Sequence, residues 1–227
     1  MNNNRADTPK IAPSLLAADF SCFGDEVQRV TDAGADLLHF DVMDGALVPN
    51  FGISPPLIAS VRDKTELVFD VHIMVTHPLS YIEALIDAGS DIITFHIESH
   101  DDPNLVIEAI KKHNVSAGIA YSPNTKTEAI IPFLSSIDLI LPMSVEPGFG
   151  GQSFLTNTYN KIKELYNLIN DLENTPDISV DGGVTTEISP IAIQNGATIL
   201  VAGTAIFKSN SPEKIIEQLR TVPLSET

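Results

Sequence analysis

Short apolar runs alternate with amphipathic stretches along most of the chain. Eight of these runs read as strands: "KIAPSLL" (10–16), "LLHFDV" (37–42), "LVFDVHI" (67–73), "IITFHI" (92–97), "VSAGIA" (115–120), "DLILPMS" (138–144), "DISVDG" (177–182) and "ATILVAG" (197–203). Near-continuous apolar strands of this kind are buried on both faces, as in parallel sheets covered by helices. The stretches between them carry helical spacing. Gly34, Gly89 and Gly196 fall where three of these end, and Pro103, Pro190 and Pro212 fall where first-turn prolines are expected. Eight strands, each followed by a helix, define parallel β/α units. Eight units within 227 residues match a compact (β/α)8 TIM barrel, typically ~250 residues. A doubly wound open sheet would carry a dinucleotide G-x-G-x-x-G after its first strand, and none is present. The expectation is a single α/β domain, a (β/α)8 barrel over residues 10–222, behind a short flexible lead over residues 1–9.

Composition narrows the partners. Thirteen Lys and Arg against 30 Asp and Glu give a formal net charge of −17, with a pI near 4.5. Nucleic acid and anionic membrane both need clustered basic residues, so neither is an expected partner. A small anion must instead be held by local devices: backbone N–H groups, helix N-termini or a metal. No apolar run approaches the ~20 residues that cross a bilayer, and "MNNNRADTPK" lacks the apolar centre of a signal peptide. The lone Cys22 cannot form an internal disulfide, which suits a reducing cytoplasm.

Against this background the polar residues of the strands stand out. His39 and Asp41 lie late in the second strand, His72 late in the third, Asp181 late in the seventh and Ser14 late in the first. A barrel builds its active site at these C-terminal ends. His39 and Asp41 are two apart, so both point to the same side, here the barrel axis. Two imidazoles and two carboxylates converging there suit a divalent ion of the Zn²⁺, Fe²⁺, Mn²⁺ or Co²⁺ type rather than Mg²⁺ or Ca²⁺. His96 ends the fourth strand in the same manner, either as an outer partner of this cluster or as a structural histidine.

Glycines gather in the last three βα loops: Gly148, Gly150 and Gly151 in "EPGFGGQSF", Gly182 and Gly183 in "DGGV", and Gly203 before Thr204 in "VAGTAIF". Barrels build phosphate sites in these loops, and this one requires no Lys or Arg. Met43, Met74 and Met143 follow or end strands at the same rim, where an apolar, polarisable cover is one use for them and core filling the other.

Taken together, "IAPSLLAADF", "HFDVMDG" with "VPN", "DVHIMV", "MSVEPGFGGQSF", "VDGGV" and "VAGTAIF" resemble the ribulose-phosphate 3-epimerase family, in order and spacing, over nearly the whole chain. The resemblance implies an isomerase of the pentose phosphate pathway that interconverts D-ribulose 5-phosphate and D-xylulose 5-phosphate through a cis-enediolate. It implies one divalent metal ion held by His39, Asp41, His72 and Asp181. Asp41 and Asp181 are then the acid/base pair. Ser14, His72, Asp181, the loop of Gly148, Phe149, Gly150 and Gly151, the pair Gly182 and Gly183, and Gly203 with Thr204 are then substrate contacts. Met43, Met74 and Met143 resemble the family's cap. A homo-oligomer in the cytoplasm is also implied. The chain departs from the common pattern at Ala46 and Leu47, where many relatives have His-Phe, and at Ala17, Glu146, Ser179 and Thr204. Thr204 keeps a hydroxyl and its backbone N–H, while Ala46 and Leu47 bear on the loop over the site. A decarboxylase of the orotidine-phosphate type would place Lys where this chain has His72.

Overall fold

The computed structural model describes residues 8–221; most of the expected lead over 1–9, and the expected domain end at 222, lie outside them. In chain order the elements are β1 (Lys10–Pro13), α1 (Phe23–Asp32), β2 (Leu37–Met43), α2 (Pro55–Ala59), β3 (Val68–Met74), α3 (Ile82–Asp87), β4 (Ile92–His96), α4 (Pro103–Lys111) and β5 (Ser116–Tyr121). Then come β6 (Leu139–Pro142), α5 (Thr158–Ile169), β7 (Asp177–Asp181), α6 (Ser189–Asn195), β8 (Ile199–Ala202), α7 (Thr204–Phe207) and α8 (Pro212–Leu219). The eight strands are parallel: β2 to β8 pair in sequence order, and β8 pairs with β1. Between β1 and β2 the ring is drawn together by a bridge from Ser14 to His39 and by the Asp36 N–H donating to the Ile11 carbonyl. The expected TIM barrel is therefore observed.

One expected helix is absent. β5 is followed only by two 3-10 turns, Thr127–Ala129 and Ile131–Phe133. Pro132 falls inside the stretch that would have to be helical, where it lacks an N–H and crowds the preceding turn. The expected strands also run too long at five C-terminal ends: Leu15 and Leu16 enter a 3-10 turn, and β4, β6, β7 and β8 stop at His96, Pro142, Asp181 and Ala202. The helix signals fare better. Pro103 and Pro212 open their helices, Pro190 is in the first turn of α6, and Gly196 caps that helix at φ 114°.

Period-two alternation splits the strands into two layers. Outward residues such as Phe40, Phe69, Phe95 and Val180 pack on helix residues including Val27, Ile110 and Leu165. Inward apolar residues concentrate on β1, β5, β6 and β8, where Ala12, Ala120, Leu139, Leu141, Ile199 and Val201 fill the barrel. Buried polar residues concentrate elsewhere: His39 and Asp41 on β2, Asp70 and His72 on β3, Thr94 and His96 on β4, and Ser179 on β7. One sector of the barrel interior is thus polar, and it runs to the C-terminal ends of the strands.

Candidate active site

Strand register assembles the centre. β2 and β3 align His39 with Asp70, Asp41 with His72, and Met43 with Met74. His39 Nδ1 lies 2.7 Å from Asp70 Oδ2, and His72 Nε2 lies 2.9 Å from His96 Nε2. Ser14 Oγ donates to Asp41 Oδ2 at 2.8 Å. The remaining ring nitrogens, His39 Nε2 and His72 Nδ1, are buried without a hydrogen-bond partner. Both face Asp41 Oδ1, at 3.5 and 3.4 Å, and Asp181 Oδ2, at 4.0 and 3.9 Å. One ligand atom from each of His39, Asp41, His72 and Asp181 lies within 4.8 Å of the others. Unpaired buried nitrogens are costly; here they converge with two carboxylate oxygens on one point, a donor set that fits a divalent ion.

The charges of these side chains, taken by themselves, diverge. Burial, reinforced by the Asp41 charge, pushes Asp181 up to about 7. Burial alone would also raise Asp41, but His39 and His72 outweigh it and hold that carboxyl far below its usual range. For His39, burial is overcome by the Asp70 and Asp41 carboxylates, which raise it well above the ordinary histidine range. Burial keeps both His72 and His96 low despite the carboxylates beside them. One carboxylate is therefore firmly ionised, while its neighbour sits near its titration midpoint at neutral pH.

Above this centre opens a cleft of about 950 Å³. Its floor carries Ser14, Asp41, Met43, Met74, Met143 and Asp181; its far wall carries Gly148–Gly151, Gly182, Gly183, Gly203 and Thr204. His39 and His72, both 0% exposed, lie beneath that floor. Every predicted site residue is thus in the cleft or directly under it. The backbone matters most at Gly183, with φ 66°, where a Cβ would come within 2.5 Å of Phe154 N and 2.7 Å of Gln152 O. Only glycine lets the β7 loop close on the β6 loop there. The three methionines do not behave alike. Met43 and Met74 pack with Val48, Leu16 and Leu47, whereas Met143 belongs to the inner layer beside Leu141 and Val201.

Sequence reading missed several residues here. Asp70 orients His39, and its signal was the same-face spacing with His72. Lys208, a cation where none was required, lines the cleft beside Thr204, as do Asn50 and Thr185. Asn50 also ties two loops together, donating through Nδ2 to the Gly148 carbonyl at 2.8 Å. Asp44 has a purely architectural position: Oδ1 accepts from the Ala46 and Leu47 N–H groups and Oδ2 from the Thr76 N–H.

The fold and the site define a TIM barrel with a metal-capable His/Asp centre beneath a glycine-walled cleft. Among solved structures the fold is shared with KGPDC from Streptococcus mutans, at TM-score 0.69 and 13% identity, covering 94% of this chain and 96% of that one. It is also shared with 3-hexulose-6-phosphate synthase from Salmonella typhimurium, at TM-score 0.65 and 14% identity, covering 93% and 96%. Sequence goes further: the chain belongs to the ribulose-phosphate 3-epimerase family, whose model matches residues 10–207. The ribulose-phosphate 3-epimerase of Bacillus subtilis is 42% identical over 213 residues, 93% of this chain and 98% of that protein. That of Schizosaccharomyces pombe is 41% identical over 214 residues, covering 93% and 92%, and the cytoplasmic isoform of Oryza sativa is 40% identical over 219, covering 95% and 94%.

Proposed function

We propose that the protein is a metal-dependent epimerase that interconverts D-ribulose 5-phosphate and D-xylulose 5-phosphate, acting as a single catalytic domain over residues 10–222. The observation that carries this reading is the pair Asp41 and Asp181. They come from strands three places apart around the ring, share one centre with two orphaned imidazole nitrogens, and face one cleft. His39, Asp41, His72 and Asp181 would hold the ion, of the Zn²⁺, Fe²⁺, Mn²⁺ or Co²⁺ type. When bound, it supplies Lewis-acid stabilisation of the negative charge that develops on the substrate's oxygens.

Inversion at C3 needs a proton removed from one face and another delivered to the opposite face. Asp41, held ionised, takes the C3 proton. Asp181, which would lend one oxygen to the ion, delivers a proton from its second oxygen to the opposite face of the resulting enediolate; burial beside Asp41 favours that proton. Separate environments that push two carboxyl groups apart produce such an acid/base pair. In the reverse direction the roles exchange. Ser14 holds Asp41 Oδ2 in place, so the oxygen that works on carbon does not rotate away.

The glycine wall holds the phosphate. Gly148–Gly151, Gly182 and Gly183 offer backbone N–H groups from two loops, Gly203 and Thr204 those at the start of the short α7, and Lys208 adds a positive charge to so acidic a chain. Phe149, 53% exposed in the same loop, covers the sugar from solvent. Met43 and Met74 with Leu47, and Met143 from below, form the apolar surface against the reacting carbons. The reading also includes a homo-oligomer in the cytoplasm, supported by the resemblance, by the lone Cys22 and by the cytoplasmic isoform among the relatives. Among the described residues, no helix is long and apolar enough to cross a membrane.

The test is conversion of D-ribulose 5-phosphate by metal-stripped protein, before and after adding back each ion, with a hexulose 6-phosphate as the competing substrate. Conversion should require metal and favour the pentulose. Equal rates with and without metal would sink the reading.

A further inference from the structure

The two histidines at the centre are held by different devices. His39 donates its Nδ1–H directly to the Asp70 carboxylate. His72 has no carboxylate at its outer nitrogen: Nε2 meets another imidazole, His96 Nε2, at 2.9 Å, the two rings edge to edge with 22° between their planes and 5.0 Å between centroids. His96 Nδ1 in turn lies 3.0 Å from Glu98 Oε2. The other Glu98 oxygen, Oε1, accepts from the Ser122 backbone N–H at 2.8 Å and from the Thr125 hydroxyl. The turn bearing these donors is itself pinned by Lys161, whose Nζ donates to the Ser122 and Thr125 carbonyls.

Hydrogen-bond direction along this chain is fixed from its outer end. A carboxylate only accepts, so His96 Nδ1 carries a proton and donates it to Glu98. The neutral His96 ring then has its lone pair on Nε2, which accepts from His72 Nε2–H. That leaves the lone pair of His72 on Nδ1, the atom facing Asp41 and Asp181. We infer that Glu98 and His96 are positioning residues that set the tautomer of His72, so that Nδ1 presents its lone pair to the metal centre. This assignment rests on the metal reading above for its purpose, though not for its geometry.

A histidine that merely filled space would not care which way its hydrogen bonds run, and a nearly isosteric variant exposes the difference. In Glu98→Gln the side-chain oxygen must stay on the Ser122 N–H, which cannot reverse. The amide NH2 therefore faces His96 Nδ1 and makes it an acceptor. His96 then donates from Nε2, and His72 must accept at Nε2 and carry its proton on Nδ1, where it blocks a ligand position. His96→Gln can still offer an oxygen to His72 Nε2–H, whereas His96→Leu cannot.

The experiment has two readouts on wild type and these three variants. The first is Zn²⁺ affinity by competition with a chromophoric chelator. The second is the imidazole ¹⁵N–¹H spectrum of the metal-free protein, which locates the proton on His72. Glu98→Gln and His96→Leu should bind Zn²⁺ about 10–100-fold more weakly, the range usual for outer partners of metal ligands, with His96→Gln much closer to wild type. The His72 proton should sit on Nε2 in wild type and on Nδ1 in Glu98→Gln. A wild-type proton on Nδ1, or a Glu98→Gln protein that binds Zn²⁺ as tightly as wild type, would overturn the relay. Wild type that takes up no Zn²⁺, yet shows the assigned tautomers, would remove the metal reading and leave the relay standing.

Discussion

The floor and the wall of the cleft are built on opposite principles. On the floor, His39, Asp41, Asp70, His72 and His96 are buried at 3% exposure or less, and strand register decides which atom meets which. The wall is loop backbone, shaped by glycines with positive φ at 148, 151, 182 and 183 and bordered by the exposed Phe149. Side chains supply the chemistry in one region and peptide groups supply the grip in the other. Chemistry that needs sub-ångström placement is on strands, while a phosphate, which accepts hydrogen bonds from many directions, is met by loops. Floor and wall variants should accordingly fail in different ways.

Asp181→Asn should have the largest effect. An amide can neither deliver nor take the C3 proton, so turnover should fall about 10³-fold, within the usual range for a positioned acid/base. Metal content measured on the same sample separates lost proton transfer from a lost ligand. Asp70→Asn comes next. It touches no substrate but loosens the hydrogen bond that aims His39, and should weaken Zn²⁺ binding about 10–100-fold by chelator competition. Acidity should act on the same floor. His39 and Asp181 hold protons below their raised pKa values, the latter about 7, and these protons compete with a metal for the same side chains. Zn²⁺ affinity should therefore fall as pH drops, by about tenfold or more from pH 7 to 6, and recover as pH rises.

Gly183→Ala probes the wall. Its Cβ would press on Phe154 N and Gln152 O, and its φ of 66° disfavours any side chain. KM should rise about tenfold, equivalent to about 1.4 kcal/mol of lost binding, with kcat changed much less. A Gly183→Ala protein whose kcat collapses while KM holds would erase the distinction between floor and wall.

The floor was largely readable in the sequence because period-two spacing is strict. His39 and Asp41 share a face by arithmetic alone, and so do Asp70 and His72. What spacing cannot give is the register between strands, which places Asp70 beside His39, nor the hydrogen bond that joins His96 to His72. Glu98, just beyond β4, gains its role only through donors at Ser122 and Thr125 on another loop. The wall showed as glycine clusters, but Asn50 reaches the cleft through loop geometry that no periodicity encodes, and Lys208 through its place one turn after Thr204 at the end of α7. The connection after β5 went astray for a local reason, the proline at 132. Barrel topology itself was legible because eight repeats constrain one another, and a single missing helix leaves the count of strands unchanged.

The account turns on two carboxyl groups working from opposite faces of one carbon, and conversion of D-ribulose 5-phosphate in deuterium oxide tests that most directly. At early times, NMR should show D-xylulose 5-phosphate fully deuterated at C3, because Asp181 delivers a solvent-derived proton. The recovered D-ribulose 5-phosphate should still carry protium, because Asp41 returns the proton it took. Product that retains the original C3 proton would contradict the account.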